Sequence, residues 1–271
     1  MKPNLQRRVQ KYGWDRASAF YEQFWAKQLS PATDALLAQA NVQPGEHVLE
    51  VACGSGAVTF PVAKAVGMGG RVLGTDIAAK MIAAAEGKSE RAGLFQLDFA
   101  VAGAEALGTD DAEFDIALCA LGLMYVPSPS DALTEMRRSL RATGRVVVSV
   151  WGERRKCGWA EIFPIIDARV TSDVCPMFFA LGAPGGLEFA LQSVGFQDIE
   201  TMRVSVDLAY EDDKEALGAA FLGGPVALPY LRLSDADKNS VHEEYLDSLA
   251  DHRSGDGYLV PGEFVIAHAS M

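Results

Sequence analysis

The chain has 271 residues, 49% hydrophobic and 22% charged, enough apolar material for one elaborated α/β domain or a domain plus a cap. It carries 36 acidic against 24 basic residues, a net charge of −12. That balance argues against a protein that tracks a phosphate backbone, which needs a basic face. There is no long apolar run and no apolar leader after Met1, so neither a membrane span nor secretion is expected, and the cytoplasm is the default location. Cys53, Cys119, Cys157 and Cys175 form no C-x-x-C pair, which removes support for a zinc ribbon or dithiol redox chemistry. No metal site is expected. The two dense basic clusters, Arg7-Arg8 with Lys11 and Arg154-Arg155-Lys156, read as solvated surface.

The first helical signal covers 15–40, with Asp15 or Ser18 as a start and Phe20, Phe24 and Trp25 at helical spacing. Pro31 is expected to open a second helix whose apolar face is Ala35, Leu36, Leu37 and Ala40. Strand 47–52 is followed by a helix over 57–67, stopped by Gly67. A strand over Arg71–Thr75 and a helix around Ala79–Ala92 come next. A further strand lies within Phe95–Val101. Phe114–Ala120 is a fourth, apolar enough for burial on both faces. Ser130 or Asp131 is expected to cap a helix to Leu140, and Val146–Val150 is the most β-branched run. Beyond Trp151 the pattern loosens. Gly186–Val194 reads as a helix, Ile199–Leu208 as a strand, 211–252 as mostly helical and acidic, and 264–269 as a last strand. Alternating strands and helices imply a doubly wound, mostly parallel sheet with right-handed crossovers.

The informative motif is His47-Val48-Leu49-Glu50-Val51-Ala52-Cys53-Gly54-Ser55-Gly56, followed by Gly74-Thr75-Asp76. An apolar strand ends in an acid, a glycine loop follows, and a second acid closes the next strand, spacing that suits a nucleoside with its ribose on that acid. The third glycine of G-x-G-x-x-G is replaced by Thr59, and no Lys follows the loop, so neither phosphate-cradling pattern is complete. A carboxylate at Glu50 would repel a pyrophosphate and favour a ligand with an ammonium group. S-adenosylmethionine offers adenine, ribose, a cationic amino acid end and no phosphate.

On these residues the chain resembles the class I S-adenosylmethionine-dependent methyltransferases, and within them the small-molecule branch that includes the ubiquinone/menaquinone C-methyltransferases. The resemblance implies a seven-stranded, Rossmann-like sheet whose final strand enters antiparallel between its neighbours. It also implies a helical lid over 1–43 and a catalytic domain over 44–271, with cap segments at 153–183 and 211–256. Ala52, Gly54 and Gly56 would pass under the methionine part of the cofactor, Glu50 would hold the loop and, directly or through water, the ammonium end, and Asp76 would take the ribose hydroxyls. Ile77 and Met81 would pack on adenine. Ala104 and Glu105 match the segment bordering adenine, but Gly103 stands where the family carries an aspartate. Cys119 and Leu121 belong to the segment beside the methyl donor, Met124, Tyr125 and Trp14 are candidates for the substrate side, and Tyr21 for the cofactor carboxylate. No catalytic base is assigned: His47 and His268 sit in strands, and His242 and His252 read as solvated.

The function expected is methyl transfer to a small apolar or aromatic molecule by in-line displacement, with S-adenosylhomocysteine as product. A non-catalytic binder of either nucleoside and, further off, a nicotinamide-dependent oxidoreductase are the alternatives. Monomer and dimer are both open.

Overall fold

The computed structural model describes residues 3–170 and 177–271; Cys175 and Pro176 lie outside the described residues. Two helices lead, α1 (Pro3–Ala17) and α2 (Tyr21–Ala40). Then come β1 (His47–Val51), α3 (Thr59–Val66), β2 (Arg71–Asp76), α4 (Ala79–Ala92), β3 (Leu97–Val101) and β4 (Phe114–Ala120). They are followed by α5 (Pro129–Ser139), β5 (Leu140–Trp151), α6 (Ile162–Asp167), α7 (Gly186–Ser193) and β6 (Gln197–Tyr210). The chain ends with α8 (Asp213–Phe221), α9 (Ala227–Tyr230), α10 (Asp235–Ser248), β7 (Arg253–Ser254) and β8 (Gly257–Ser270).

The sheet runs β3-β2-β1-β4-β5-β8-β6, with the two-residue β7 paired to β8 as an eighth strand. Strands β3, β2, β1, β4 and β5 are parallel. Strand β8 enters antiparallel between β5 and β6, as the resemblance implied. The chain winds outward from β1 through β2 to β3, then crosses back to β4 on the other side. The crevice between the carboxyl ends of β1 and β4 is therefore the switch point, where open α/β sheets bind ligands. The central strands are buried on both faces: Val48, Leu49, Ile116, Ala117, Leu118 and Val146–Val148 have no exposure.

Four local expectations are corrected. Helix α1 lies ahead of the 15–40 signal; its buried residues are Gln6, Gln10 and Ala17, so it shows no apolar stripe. Pro31 does not start a helix but sits inside α2. It has no N–H for the carbonyl one turn back, that of Lys27, and the Ser30 hydroxyl donates to that carbonyl at 2.9 Å instead. Helix α5 is capped two or three residues earlier than expected, by Ser128, whose Oγ accepts from the Asp131 N–H at 3.3 Å, with Pro129 in the first turn. Strand β8 also starts earlier, at Gly257. Its first half pairs with the end of β6, from Tyr210 opposite Tyr258 onward.

Candidate active site

The carboxyl ends of β1, β2 and β4 open into a cleft of about 730 Å³. Its floor is the loop after β1. There Ala52 and Gly54 take left-handed backbone (φ 57° and 54°), and Gly56 does so at 96°. A side chain on Gly56 would collide with the Phe60 ring, whereas one on Gly54 would meet nothing. Gly54 thus leaves its backbone bare towards the cleft. Leu121, just after β4, is a second non-glycine residue held at positive φ (54°). A Cβ on the next residue, Gly122, would overlap that of Ala52, so the two strand-end turns are in direct contact. Strained backbone that the surrounding structure holds in place collects at ligand sites.

Asp76 ties this floor together. Its Oδ2 accepts the Gly54 N–H at 2.9 Å and its Oδ1 accepts the Ala78 N–H at 2.8 Å. Each oxygen keeps a lone pair for a ligand hydroxyl. Burial pushes the Asp76 carboxyl up to about 6, against the lowering effect of those backbone N–H groups. Ile77, Met81, Ala102 and Ala104 form the apolar wall beyond it. Gly103 itself faces open space, so the aspartate that the family carries there is missing for no steric reason.

Helix α1 closes one side. Arg7 donates to both oxygens of Glu105, at 2.8 and 3.0 Å, and Gln6 Nε2 reaches the Tyr125 carbonyl at 3.4 Å. Asp15 accepts the Lys80 N–H at 2.9 Å. On α2, Glu22 accepts from the Ser55 hydroxyl at 2.7 Å and pairs with Lys88, whose Nζ also donates to the Ser55 carbonyl. Arg7, expected as solvated surface, is therefore part of the cleft. Arg154, Arg155 and Lys156 stay at the surface as expected, in pairs with Glu161, Glu153 and Glu263.

A second cavity of about 310 Å³ adjoins the first and shares Trp14, Tyr21, Leu121 and Tyr125 with it. Trp25, Leu29, Trp151, Trp159, Gly224 and Pro225 complete its wall. Trp14 packs edge-on against both Tyr21 and Tyr125, with ring centroids 5.8 and 5.0 Å apart. These rings form the partition between the two cavities.

Of the expected site residues, Trp14, Tyr21, Ala52, Gly54, Asp76, Ile77, Met81, Ala104, Glu105, Leu121 and Tyr125 meet around the cleft. Four do not line it. Gly56 packs on Phe60, and Cys119 and Met124 are core residues at 0% and 4% exposure. Glu50 is buried one layer below the loop, its Oε2 accepting the Thr59 hydroxyl at 2.5 Å. Burial pushes its carboxyl up to about 8, towards the protonated form. The acid does not line the cleft directly; through Thr59 it braces the head of α3 and the loop above it, the holding part of its expected role. Sequence reasoning did not assign Arg7, Gln10, Ala102, Ala120, Gly122, Val126 and Pro127 to the cleft. Only Gly122, directly after an apolar strand, carried a signal. No histidine lines either cavity; His242 bonds the Tyr230 hydroxyl at 2.9 Å. Among the described residues there is no metal-binding cluster, and no helix is long and apolar enough to cross a membrane.

The switch-point cleft, the bare glycine loop and a diol-ready aspartate define a nucleoside-binding protein of the S-adenosylmethionine-dependent methyltransferase class. Residues 27–157 match the ubiE/COQ5 methyltransferase family, and the chain belongs to it. The chain is 25% identical to nocamycin O-methyltransferase of Saccharothrix syringae, over 89% of this chain and 91% of that protein. It is 34% identical to the uncharacterized protein Rv1405c of Mycobacterium tuberculosis, covering 85% and 84% of the two chains. Among solved structures it shares its fold with a phosphoethanolamine N-methyltransferase of Haemonchus contortus bound to S-adenosylhomocysteine. That match has a TM-score of 0.60 at 15% identity and covers 94% of this chain and 57% of the other. The protein is thus a methyltransferase that uses S-adenosylmethionine, and the nicotinamide alternative falls away.

Proposed function

We propose that the enzyme methylates a small aromatic or apolar molecule held in the second cavity. The observation that carries this reading is the shared partition: a cofactor-sized cleft and a cavity walled by aromatic rings meet at Trp14, Tyr21, Leu121 and Tyr125. In the cleft, Asp76 takes the ribose hydroxyls, the Ala52–Gly54 turn runs under the amino acid end, and Ile77 and Met81 flank adenine. Tyr21 lies at the carboxylate end. Glu50 acts from beneath by holding Thr59 and the loop.

The bound sulfonium supplies an activated methyl whose carbon–sulfur bond breaks as the acceptor atom's lone pair bonds to carbon; sulfur keeps the bonding electrons. The chain's own contribution is alignment and exclusion of water, which supply about 7–11 kcal/mol in well-oriented systems. The acceptor's proton leaves to solvent, and no side chain is assigned as base. An oxygen acceptor is favoured by the O-methyltransferase among the relatives.

Helices α1 and α2, within residues 1–43, act as a lid, a role supported by the Arg7–Glu105 and Asp15–Lys80 contacts. A cytoplasmic setting suits the free buried Cys53, Cys119 and Cys157. The test is transfer of a labelled methyl group from S-adenosylmethionine into fractionated metabolite extract. Label is expected in a small aromatic compound. Label appearing only in protein or nucleic acid would overturn the reading, and no label in any fraction would leave a binder in its place.

A further inference from the structure

Trp159, whose side chain lines the second cavity, carries a buried polar atom with no partner among the described residues. Trp159 is 1% exposed, and its Nε1 finds no hydrogen-bond partner among the described residues. Its neighbour Trp25 differs: that indole donates to the Ala219 carbonyl at 3.0 Å. Buried indole N–H groups ordinarily find an acceptor, because leaving one unpaired costs about 1–3 kcal/mol.

The surroundings narrow what could supply that acceptor. All four tryptophans of the chain line this one cavity. The rings of Trp25, Trp151 and Trp159 form a mutual cluster with centroids 4.7 to 6.0 Å apart. Among the described residues no charged side chain is in the wall. Such a chamber suits a flat, uncharged ring system, which gains edge and face contacts with the indoles. It disfavours an acidic or cationic acceptor, whose charge would be buried unpaired.

Resting on the methyl-transfer reading, we propose that this chamber is the acceptor subsite and that Trp159 Nε1–H donates to an uncharged oxygen, a carbonyl or phenol, of a compact aromatic acceptor. That single bond would choose which end of the molecule points through the partition towards the methyl donor. Trp159 is then a specificity-determining residue, while the other rings supply non-directional contact.

The experiment uses the full chain and a matched pair of probes, 1-indanone and indane, which differ only in a carbonyl. Affinities are measured by calorimetry with S-adenosylhomocysteine present, and the four indole N–H resonances are followed by 15N–1H NMR. Without a donor in the chamber, indane, the more apolar probe, binds tighter. The proposal expects indanone to bind tighter and to move one indole resonance, the one missing in Trp159→Phe. In that variant, which keeps a ring but loses the donor, indanone affinity should fall about fivefold or more, with indane unchanged.

The proposal is overturned if indane binds as tightly as indanone to the wild type, if neither probe binds, or if the variant weakens both alike. Should the variant fail to fold, the wild-type comparison of the two probes decides alone. Titration of S-adenosylhomocysteine by itself separates the two readings. If it does not bind while the indanone preference holds, methyl transfer is wrong and the aromatic subsite stands. If it binds and the preference is absent, the reverse is true.

Discussion

Arg7, in the first helix, grips both oxygens of Glu105, 98 residues further on, with its Nε and Nη2 at 2.8 and 3.0 Å. The Glu105 side chain is 7% exposed and also accepts the Ser128 N–H at 3.2 Å. The two-pronged contact pins α1 across the mouth of the cleft, and charge-assisted forks of this kind are stronger than single bonds.

Arg7→Met keeps the stem and removes the fork. The N-terminal helix should then exchange its amide hydrogens faster and be cut more readily by protease. S-adenosylhomocysteine affinity should fall by about fivefold, the loss of about 1 kcal/mol of ordering. Unchanged exchange across residues 3–17 would mean that the lid is held by its other contacts.

Asp76→Ala removes the acceptor of the Gly54 and Ala78 N–H groups and the carboxylate assigned to the ribose. Calorimetry should show S-adenosylhomocysteine binding weakened by more than about tenfold, the worth of roughly one charge-assisted hydrogen bond. Equal affinity in variant and wild type would refute the ribose assignment.

Glu50 makes the ligand-free protein sensitive to alkali. Its carboxyl titrates near 4.5 when unfolded and is pushed up to about 8 in the fold, by burial first of all. Between those values the folded state keeps a proton that the unfolded chain has released, so stability falls as pH rises through that window. Asp76 acts in the same direction between 3.8 and about 6. Glu50→Gln still offers an oxygen to the Thr59 hydroxyl but cannot ionise. Thermal melts of wild type and variant should agree near pH 4.5, and the variant should melt higher at pH 8.5. A variant that melts lower at pH 8.5 would show the acid to be ionised and paired in the fold.

Gly103 faces open space beside Ala102 and Ala104, which line the cleft. Gly103→Asp, which restores the residue that the resembled family carries, should raise S-adenosylhomocysteine affinity by about threefold to tenfold through a bond to the adenine amino group. Equal gains for adenosine and inosine, which lacks that amino group, would show that the added carboxylate is not reading adenine.

The elements around β1, β2 and β4 were legible because they are written locally. Alternation of short apolar strands with helices of the usual period marked 47–52, 71–75 and 114–120, and the structure keeps all three with end shifts of a residue or less. Helix α1 was not legible, because it buries glutamines rather than an apolar stripe, and Gln6 bonds to another segment, at the Tyr125 carbonyl. Pro31 misled for a related reason: its cost in α2 is offset by a neighbouring hydroxyl, an arrangement that no propensity contains.

By itself the chain's order of residues determined the doubly wound sheet, the glycine loop and the acid that closes β2. These follow from periodicity and from glycine and proline placement over a few neighbouring positions. Whether Glu50 faces the ligand or lies beneath it, and that Trp14, Trp25, Trp151 and Trp159 meet in one chamber, only the tertiary structure decided. Burial and contact between segments a hundred or more residues apart depend on how the sheet stacks its helices, and local spacing carries no record of that.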